Sequence, residues 1–260
     1  MIEILNSTEL DQARVTGRLV GNILQTLKAR CRVGTNLLAI DQWARELILD
    51  SGATSCYVDY APSFGSGPFG HYICTSVNDA VLHGMPRDYR LADGDLLTLD
   101  LAVIKNGIAA DAAISFVVGT GVRPADLAMI DATERALAAA CNIASPGVRL
   151  GDLSHAIGST LAGAGYLINM EFGGHGIGST MHQEPHVANN GRPGRGYQLR
   201  PGLLLAIEPW VMADTDRLIV DADDGWTLRS ATGCRTAHTE HTIAITDAGA
   251  EILTAPDYAP

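Results

Sequence analysis

Two aspartates interrupt a pair of otherwise apolar runs. Asp100 lies in LLTLDLAVI and Asp111 lies in IAADAAISFVV. A buried carboxylate costs several kcal/mol unless it is paired or binds a metal ion. If the two runs pair as hairpin arms, the carboxylates can lie side by side. The pair then indicates a metal site, whereas the alternative is that one aspartate is an edge or turn residue with a solvated charge.

A histidine and two glutamates also stand at the edges of apolar stretches. His175 lies within Gly173–Gly178, where glycines allow a tight backbone and the close approach of a ligand. Glu208 ends the run LLLAIEP, and Glu240 precedes the apolar residues Ile243–Ile245. The alternatives are a flexible glycine loop for the histidine and solvated strand ends for the two glutamates.

Four carboxylates and one imidazole form a ligand set that suits divalent Mn, Fe, Co or Zn. Four negative charges that converge without a cation would repel one another, and two divalent ions would balance them. The pattern therefore indicates a dinuclear hydrolytic site. Its candidate ligands are Asp100, Asp111, His175, Glu208 and Glu240. His83 also ends an apolar stretch, but a lone histidine there is more often a core or turn residue.

The strands that position these side chains can be predicted from turn signals. Asp95–Val118 is expected to form a hairpin, because Lys105-Asn106-Gly107 carries the Asn-Gly pair that favours tight turns. A strand is expected over Tyr72–Val77, after a loop rich in glycine and proline at Ala61–Gly70. Short strands with glycine-rich turns are expected after Gly165.

Helical periodicity and capping signals predict two pairs of helices. Ser7 or Thr8 can cap the first helix and Thr35 the second, which is expected to end at Ser51-Gly52. The apolar positions of these helices are Leu10, Val15, Leu19, Ile23 and Leu27, then Leu37, Leu38, Ile40, Trp43 and Leu47. Pro124 can begin a third helix to about Ile143, and a fourth is expected over about 151–164. The chain is thus predicted to be α+β, a single catalytic domain of residues 1–260 with similar halves, about 1–122 and 123–260.

Composition excludes several classes of protein. The 260 residues are 47% hydrophobic and 18% charged, which is enough apolar material for a sizeable core. A net charge of −11 disfavours direct binding of nucleic acid. The five cysteines include no CxxC pair, so a reducing compartment is expected. No basic, apolar signal segment and no run of about 18 apolar residues occur, so a cytoplasmic protein without membrane partners is predicted.

The sequence resembles the type I methionine aminopeptidases of the pita-bread family, which also includes prolidase and creatinase. The resemblance extends over nearly the whole chain, and the combination of motifs is specific although no single motif is. The matching stretches are Ser76-Val77-Asn78, Val81-Leu82-His83-Gly84-Met85-Pro86, Asp93-Gly94-Asp95 to Asp100, Asp111, Gly174-His175-Gly176-Ile177-Gly178, His182 with Glu184-Pro185, Ile207-Glu208-Pro209 and Glu240-His241-Thr242.

The resemblance implies a pita-bread fold and roles for the site residues. Asp111 and Glu240 would bridge two divalent ions, Asp100 would chelate one ion, and His175 with Glu208 would complete the other. His83 and His182 would be catalytic groups rather than ligands. The residues implied to line the pocket for the methionine side chain are Phe69, Cys74 and Trp226, and Met181, His83 and His182 are also expected to bind substrate.

The resemblance also implies the reaction. A hydroxide activated by the two metals would attack the first peptide bond of nascent proteins and peptides that begin with methionine. Glu208 would move the proton, His182 would stabilise the carbonyl region and His83 would contact the peptide nitrogen. A monomer is expected, with the ribosome as a plausible partner.

The chain departs from the family pattern close to the substrate pocket. Met181 replaces a frequent aromatic residue, Gln183 replaces a frequent acidic residue, and the loop 62–69 lacks a frequent tyrosine. These changes leave the candidate ligands intact and concern peptide preference. The alternatives are therefore a methionine aminopeptidase paralogue with an altered preference, a proline-specific aminopeptidase or prolidase-like enzyme, and a non-catalytic binding protein. Retention of all five ligands and both histidines argues against the last.

Overall fold

A computed structural model describes residues 2–63 and 65–257, which form four helices and fourteen strands. The helices are α1 Ser7–Arg30, α2 Leu37–Asp50, α3 Pro124–Ile143 and α4 Leu150–Gly163. The strands are β1 Thr54–Ser55, β2 Cys74–Val77, β3 Ala80–Leu82, β4 Leu96–Lys105, β5 Ile108–Val117, β6 Gly174–Gly176, β7 Gln183–Val187, β8 Leu204–Ile207, β9 Trp210–Met212, β10 Leu218–Val220, β11 Leu228–Ser230, β12 Thr236–His238, β13 Glu240–Thr246 and β14 Gly249–Ile252. The α+β class is confirmed, with two helices preceding each run of strands.

The caps of the first two helices differ from the sequence-based prediction. Asn6 caps α1, because its Oδ1 accepts from the Glu9 N–H at 3.1 Å while a Glu9 carboxylate oxygen accepts from the Asn6 N–H at 2.8 Å. Asn36 caps α2 by accepting from the Leu38 N–H at 2.9 Å. Ser7 and Thr35 are therefore not the caps. Each is adjacent to an asparagine, which is at least as good a cap as serine or threonine.

The buried faces of α1 and α2 are narrower than the apolar pattern predicts. Val15 of α1 is 39% exposed and Leu38 of α2 is 44% exposed, although both were expected to face the core. Val20, Leu24 and Ile40 are buried against the sheet, together with Leu99 and Leu101 of β4. No helix in the described ranges is both long and apolar enough to cross a membrane.

The predicted hairpin is confirmed over its full length. β4 and β5 pair without interruption from Leu96 opposite Val117 to Lys105 opposite Ile108. The turn residues Asn106 and Gly107 have φ values of 54° and 82°, which the two-residue hairpin turn requires and which asparagine and glycine tolerate.

The hairpin is part of a nine-stranded sheet. The strand order is β1-β4-β5-β13-β8-β6-β7, with β14 also paired to β13 and β2 also paired to β4. Helices α1 and α2 cover one part of this sheet and α3 and α4 cover another, each with its own apolar cluster. Because side chains alternate along a strand, the residues between the helix-facing leucines point to the opposite surface. Asp100 lies between Leu99 and Leu101 and is therefore on that surface.

Two small sheets flank the surface that carries the site. One has the order β10-β11-β3 and the other pairs β12 with β9. His83 follows β3 directly, and Trp226 precedes β11 by two residues. The β10-β11-β3 sheet thus positions two pocket residues beside the large sheet.

Candidate metal centre

The register of the large sheet brings three carboxylates onto one face. Asp100 is opposite Ala113, and Ala113 is also opposite Glu240 on its other side. Asp111 precedes Ala113 by two residues and so points to the same face. Asp100 and Asp111 are therefore diagonal neighbours across β4 and β5, and Glu240 is the matching neighbour on β13.

The remaining candidate ligands come from the adjacent strands. His175 on β6 is opposite Ala206 of β8, and Glu208 follows the last residue of β8. One ligand atom from each of Asp111, His175 and Glu240 lies within 4.8 Å of the others, and all three residues are buried. This spacing is suitable for shared coordination of a metal ion.

A single cavity collects every residue proposed from the sequence. Its walls include the five candidate ligands, the two histidines expected to be catalytic, the three residues expected to bind the methionine side chain and Met181. Tyr57, Tyr60 and Leu82 complete the lining. The residues come from positions 57 to 240, and the sheet brings them to one place.

No lysine or arginine among residues 2–63 and 65–257 balances the charge of the four carboxylates. None of these carboxylates forms an ion pair with a lysine or arginine in the part of the chain that the structure describes. Burial raises the pKa of Asp100 to about 6. Burial together with the charge of Asp100 raises the pKa of Glu208 to about 8. The pKa values of Asp111 and Glu240 are raised well above their ordinary values by burial and by the neighbouring carboxylates.

His175 is held in the form that can bind a metal. Its Nδ1 lies 3.0 Å from the Gly176 carbonyl oxygen, which can only accept, so the proton is on Nδ1 and the Nε2 lone pair is free to bind. Burial, with a smaller contribution from His182, lowers the pKa of His175 to about 3. The imidazole is therefore neutral at physiological pH, as metal ligation requires.

His83 and His182 stand at the cavity beside the ligands. The His182 ring lies at the accessible mouth, with its Nδ1 2.9 Å from the Tyr60 hydroxyl and its centroid 4.2 Å from the centroid of His175. His83 has a φ of 55°, an uncommon conformation for a residue with a Cβ atom. This conformation places its ring edge-on to Phe172 and Trp226.

An apolar chamber adjoins the carboxylates. Phe69, Cys74, Met181 and Trp226 are all buried there, with Tyr57 and Ala102. The rings of Phe69 and Trp226 meet edge to face at a centroid distance of 5.2 Å. Met181, which stands just before the second histidine, contributes a thioether to this chamber.

Sequence reasoning missed three polar residues of the site. Tyr57 and Tyr60 lie between β1 and β2, where no periodicity or motif distinguishes them. His238 is fully buried, with its Nε2 3.7 Å from a Glu208 oxygen and 3.9 Å from a Glu240 oxygen. A signal for His238 was available, because residues two apart on an extended chain share a face and Glu240 was already a candidate.

A buried carboxylate and imidazole cluster beside an apolar chamber is the arrangement of a metal-dependent hydrolase. The family model for metallopeptidase family M24 matches residues 11–247. The chain belongs to metallopeptidase family M24.

Individual relatives agree over almost the full length of the chain. It is 40% identical over 255 residues to the methionine aminopeptidase of Clostridium perfringens, covering 98% of this chain and 99% of that protein. It is 41% identical over 253 residues to methionine aminopeptidase 1 of Mycobacterium tuberculosis, covering 95% and 92%. The crystal structure of methionine aminopeptidase from Thermotoga maritima aligns with a TM-score of 0.92 and 33% identity, covering 98% and 99%.

A prolidase shares the fold with lower similarity. The enzyme from Pyrococcus horikoshii aligns with a TM-score of 0.74 and 19% identity, and the match covers 98% of this chain but 64% of that longer protein. The pita-bread fold expected from the resemblance is confirmed by these structures.

Proposed function

We propose that this chain is a two-metal methionine aminopeptidase that removes the N-terminal methionine from nascent proteins and peptides. One observation carries the proposal: the five candidate ligands, both histidines and the apolar chamber line one cavity. The relatives at 40% and 41% identity, both named methionine aminopeptidases, support the substrate class. The 19% identity to a prolidase supports only a shared fold, so a proline-specific enzyme is not favoured.

The residues fit divalent metal ions. Three buried carboxylates and the half-buried Glu208 have no lysine or arginine partner among the described residues and lie beside a neutral imidazole with a free Nε2, which is a donor set for hard or borderline divalent cations. Two such ions would balance four negative charges, and we propose Co, Mn, Fe or Zn as the metals. Asp100, Asp111, His175, Glu208 and Glu240 would hold these ions. Divalent ions in this position would lower the pKa of a water molecule and offset negative charge on the substrate.

Three side chains would handle protons and charge during hydrolysis. Glu208 lies at the end of β8 with 13% of its side chain exposed, so it can take a proton from the attacking water and deliver it to the leaving amine. His182, oriented by the Tyr60 hydroxyl, would donate to the developing oxyanion. His83, held between Phe172 and Trp226, would hydrogen-bond to the leaving peptide nitrogen.

The apolar chamber would select the methionine side chain. Phe69 and Trp226 present aromatic edges, and Met181 and Cys74 add polarizable sulfur. Contacts between sulfur and aromatic rings favour a thioether over a branched aliphatic chain of similar size. The position of this chamber beside the metal ligands would restrict cleavage to the bond that follows the first residue of a peptide.

Peptide hydrolysis tests this proposal directly. Metal-free protein is reloaded with Mn, Fe or Co and given Met-Ala-Ser, Leu-Ala-Ser and Pro-Ala-Ser. Metal-dependent release of methionine alone is expected. Preferential release of proline would favour the prolidase-like alternative, and release of nothing by metal-loaded protein would refute peptidase activity on these substrates.

A further inference from the structure

Tyr57 connects the apolar chamber with the carboxylate cluster. Its hydroxyl donates to Asp100 Oδ1 and lies 3.3 Å from Asp111 Oδ1. The residue is 7% exposed, so water does not replace these contacts. The phenol hydroxyl is the donor to Asp100, and a metal-binding carboxylate, which is ionised, can only accept.

The position of the Tyr57 ring is fixed from several sides. The Tyr57 N–H donates to Ser55 Oγ at 3.0 Å, and its carbonyl accepts from the Tyr60 N–H at 3.0 Å. Its ring meets the Phe69 ring edge to face at 5.8 Å. A side chain held in this way can orient a hydrogen-bond partner without a large loss of conformational entropy.

The hairpin leaves room for this ring. Ala102 lies two residues beyond Asp100 on the same face, is opposite Asp111 in the register, and is fully buried in the same cluster as Tyr57. A small side chain at this position leaves space beside both aspartates. The phenol of Tyr57 fills that space from outside the sheet.

We infer that Tyr57 is a positioning residue for the metal ligands, which holds the Asp100 carboxylate in its binding orientation and reduces its repulsion from Asp111. The inference rests on the proposed function in one respect, since it takes these two aspartates as ligands. Hydrogen-bond partners of metal ligands typically contribute 10–100-fold to metal affinity. Tyr57 also forms part of the chamber wall, so one side chain adjoins both the ligands and the proposed methionine pocket.

The test is the affinity of Tyr57→Phe for Co²⁺, measured by titration calorimetry without substrate. We expect a loss of about 10–100-fold and an altered visible absorption spectrum of the bound cobalt. When Tyr57→Phe is saturated with metal, its kcat is expected to return towards the wild-type value. Its KM is expected to change less. The matched control is Tyr89→Phe, which removes a 2.9 Å phenol–carboxylate bond to Asp95 outside the cavity and should leave cobalt affinity unchanged.

The outcomes separate this inference from the proposed function. Equal affinity and an identical cobalt spectrum in wild type and Tyr57→Phe would overturn the positioning role while leaving the metal site intact. Failure of the wild-type protein to bind cobalt would overturn both. If Tyr57→Phe does not fold, 4-fluorophenylalanine at position 57 fills the space of the hydroxyl without a donor and is expected to show the same loss.

Discussion

Buried carboxylates occur in two different settings in this protein. Asp126, in the first turn of α3, is 1% exposed and accepts from the Arg235 guanidinium at 2.9 Å. Asp100, Asp111 and Glu240 of the cavity are also buried and Glu208 is half-buried, but none of the four forms an ion pair with a lysine or arginine among the described residues. Arg235 supplies at one site the positive charge that the other site lacks.

The difference distinguishes a structural charge from a functional one. An ion pair inside a protein is tolerated when its partner is present. The four carboxylates of the cavity have no lysine or arginine partner among the described residues, and burial raises the pKa values of Asp100 and Glu208. We interpret the uncompensated carboxylates as the site where the metal ions bind.

Removing a proposed metal ligand should have the largest effect on metal binding in the cavity. Glu240→Gln keeps the shape of the side chain and removes one negative charge. We expect loss of tight divalent metal binding and of peptidase activity, exceeding the roughly 10–100-fold effect of a residue that only supports a ligand. Elemental analysis and hydrolysis of Met-Ala-Ser measure the two losses. Retention of full activity would remove Glu240 from the ligand set.

Removing a catalytic histidine should affect rate but not metal content. His83→Ala is expected to lower kcat by about 10²–10⁴-fold, the usual contribution of a group that transfers or stabilises a proton. Both metals should remain bound, because His83 is not among the residues proposed as ligands. Loss of metal from this variant would instead show that His83 is a ligand.

The ion pair between Asp126 and Arg235 can be removed by replacing the arginine. Arg235→Met removes the 2.9 Å bond to the buried Asp126, leaving only the longer 3.9 Å contact from Arg123, and removes a hydrogen bond to the Gly94 carbonyl. We expect a loss of about 3 kcal/mol in the free energy of unfolding. Denaturant unfolding measures it. Metal affinity should not change, and a selective loss of metal binding would argue that the two buried sites are coupled.

A partly exposed ion pair should contribute least. Glu251 accepts two bonds from Arg14, each of 2.7–2.8 Å, and these hydrogen bonds lower the pKa of Glu251. Its contribution is therefore present above the unfolded pKa of about 4.3 and is lost as the pH falls through the lowered folded value. Glu251→Gln is expected to cost up to about 1 kcal/mol at neutral pH and nothing in strong acid. An equal cost at both pH values would contradict this assignment.

Local signals in the sequence were sufficient for much of the fold. The Asn-Gly turn determined the register of β4 and β5, and that register places Asp100 and Asp111 on one face. Pro124 correctly marked the start of α3. The errors were also local, because Asn6 and Asn36 took the capping positions expected for neighbouring residues.

The parts of the site that sequence reasoning missed depend on contacts between distant segments. Tyr57 approaches Asp100 from 43 residues away, through a short strand and a loop without regular periodicity. The approach of His238 to Glu208 depends on how β12 lies beside the end of β8. Neither contact follows from the residue types, since a tyrosine in a loop and a histidine in a short strand are usually structural.

The central claim is that the uncompensated carboxylates are a site for divalent cations. It is tested most directly by calorimetric titration of metal-free protein with Mn²⁺ in buffers of different ionisation enthalpy. We predict that metal binding releases protons. The number of protons released should fall as the pH rises past the raised pKa values of about 6 for Asp100 and about 8 for Glu208. Glu240→Gln should bind far more weakly. Absence of binding, or equal binding to wild type and Glu240→Gln without proton release, would contradict the claim.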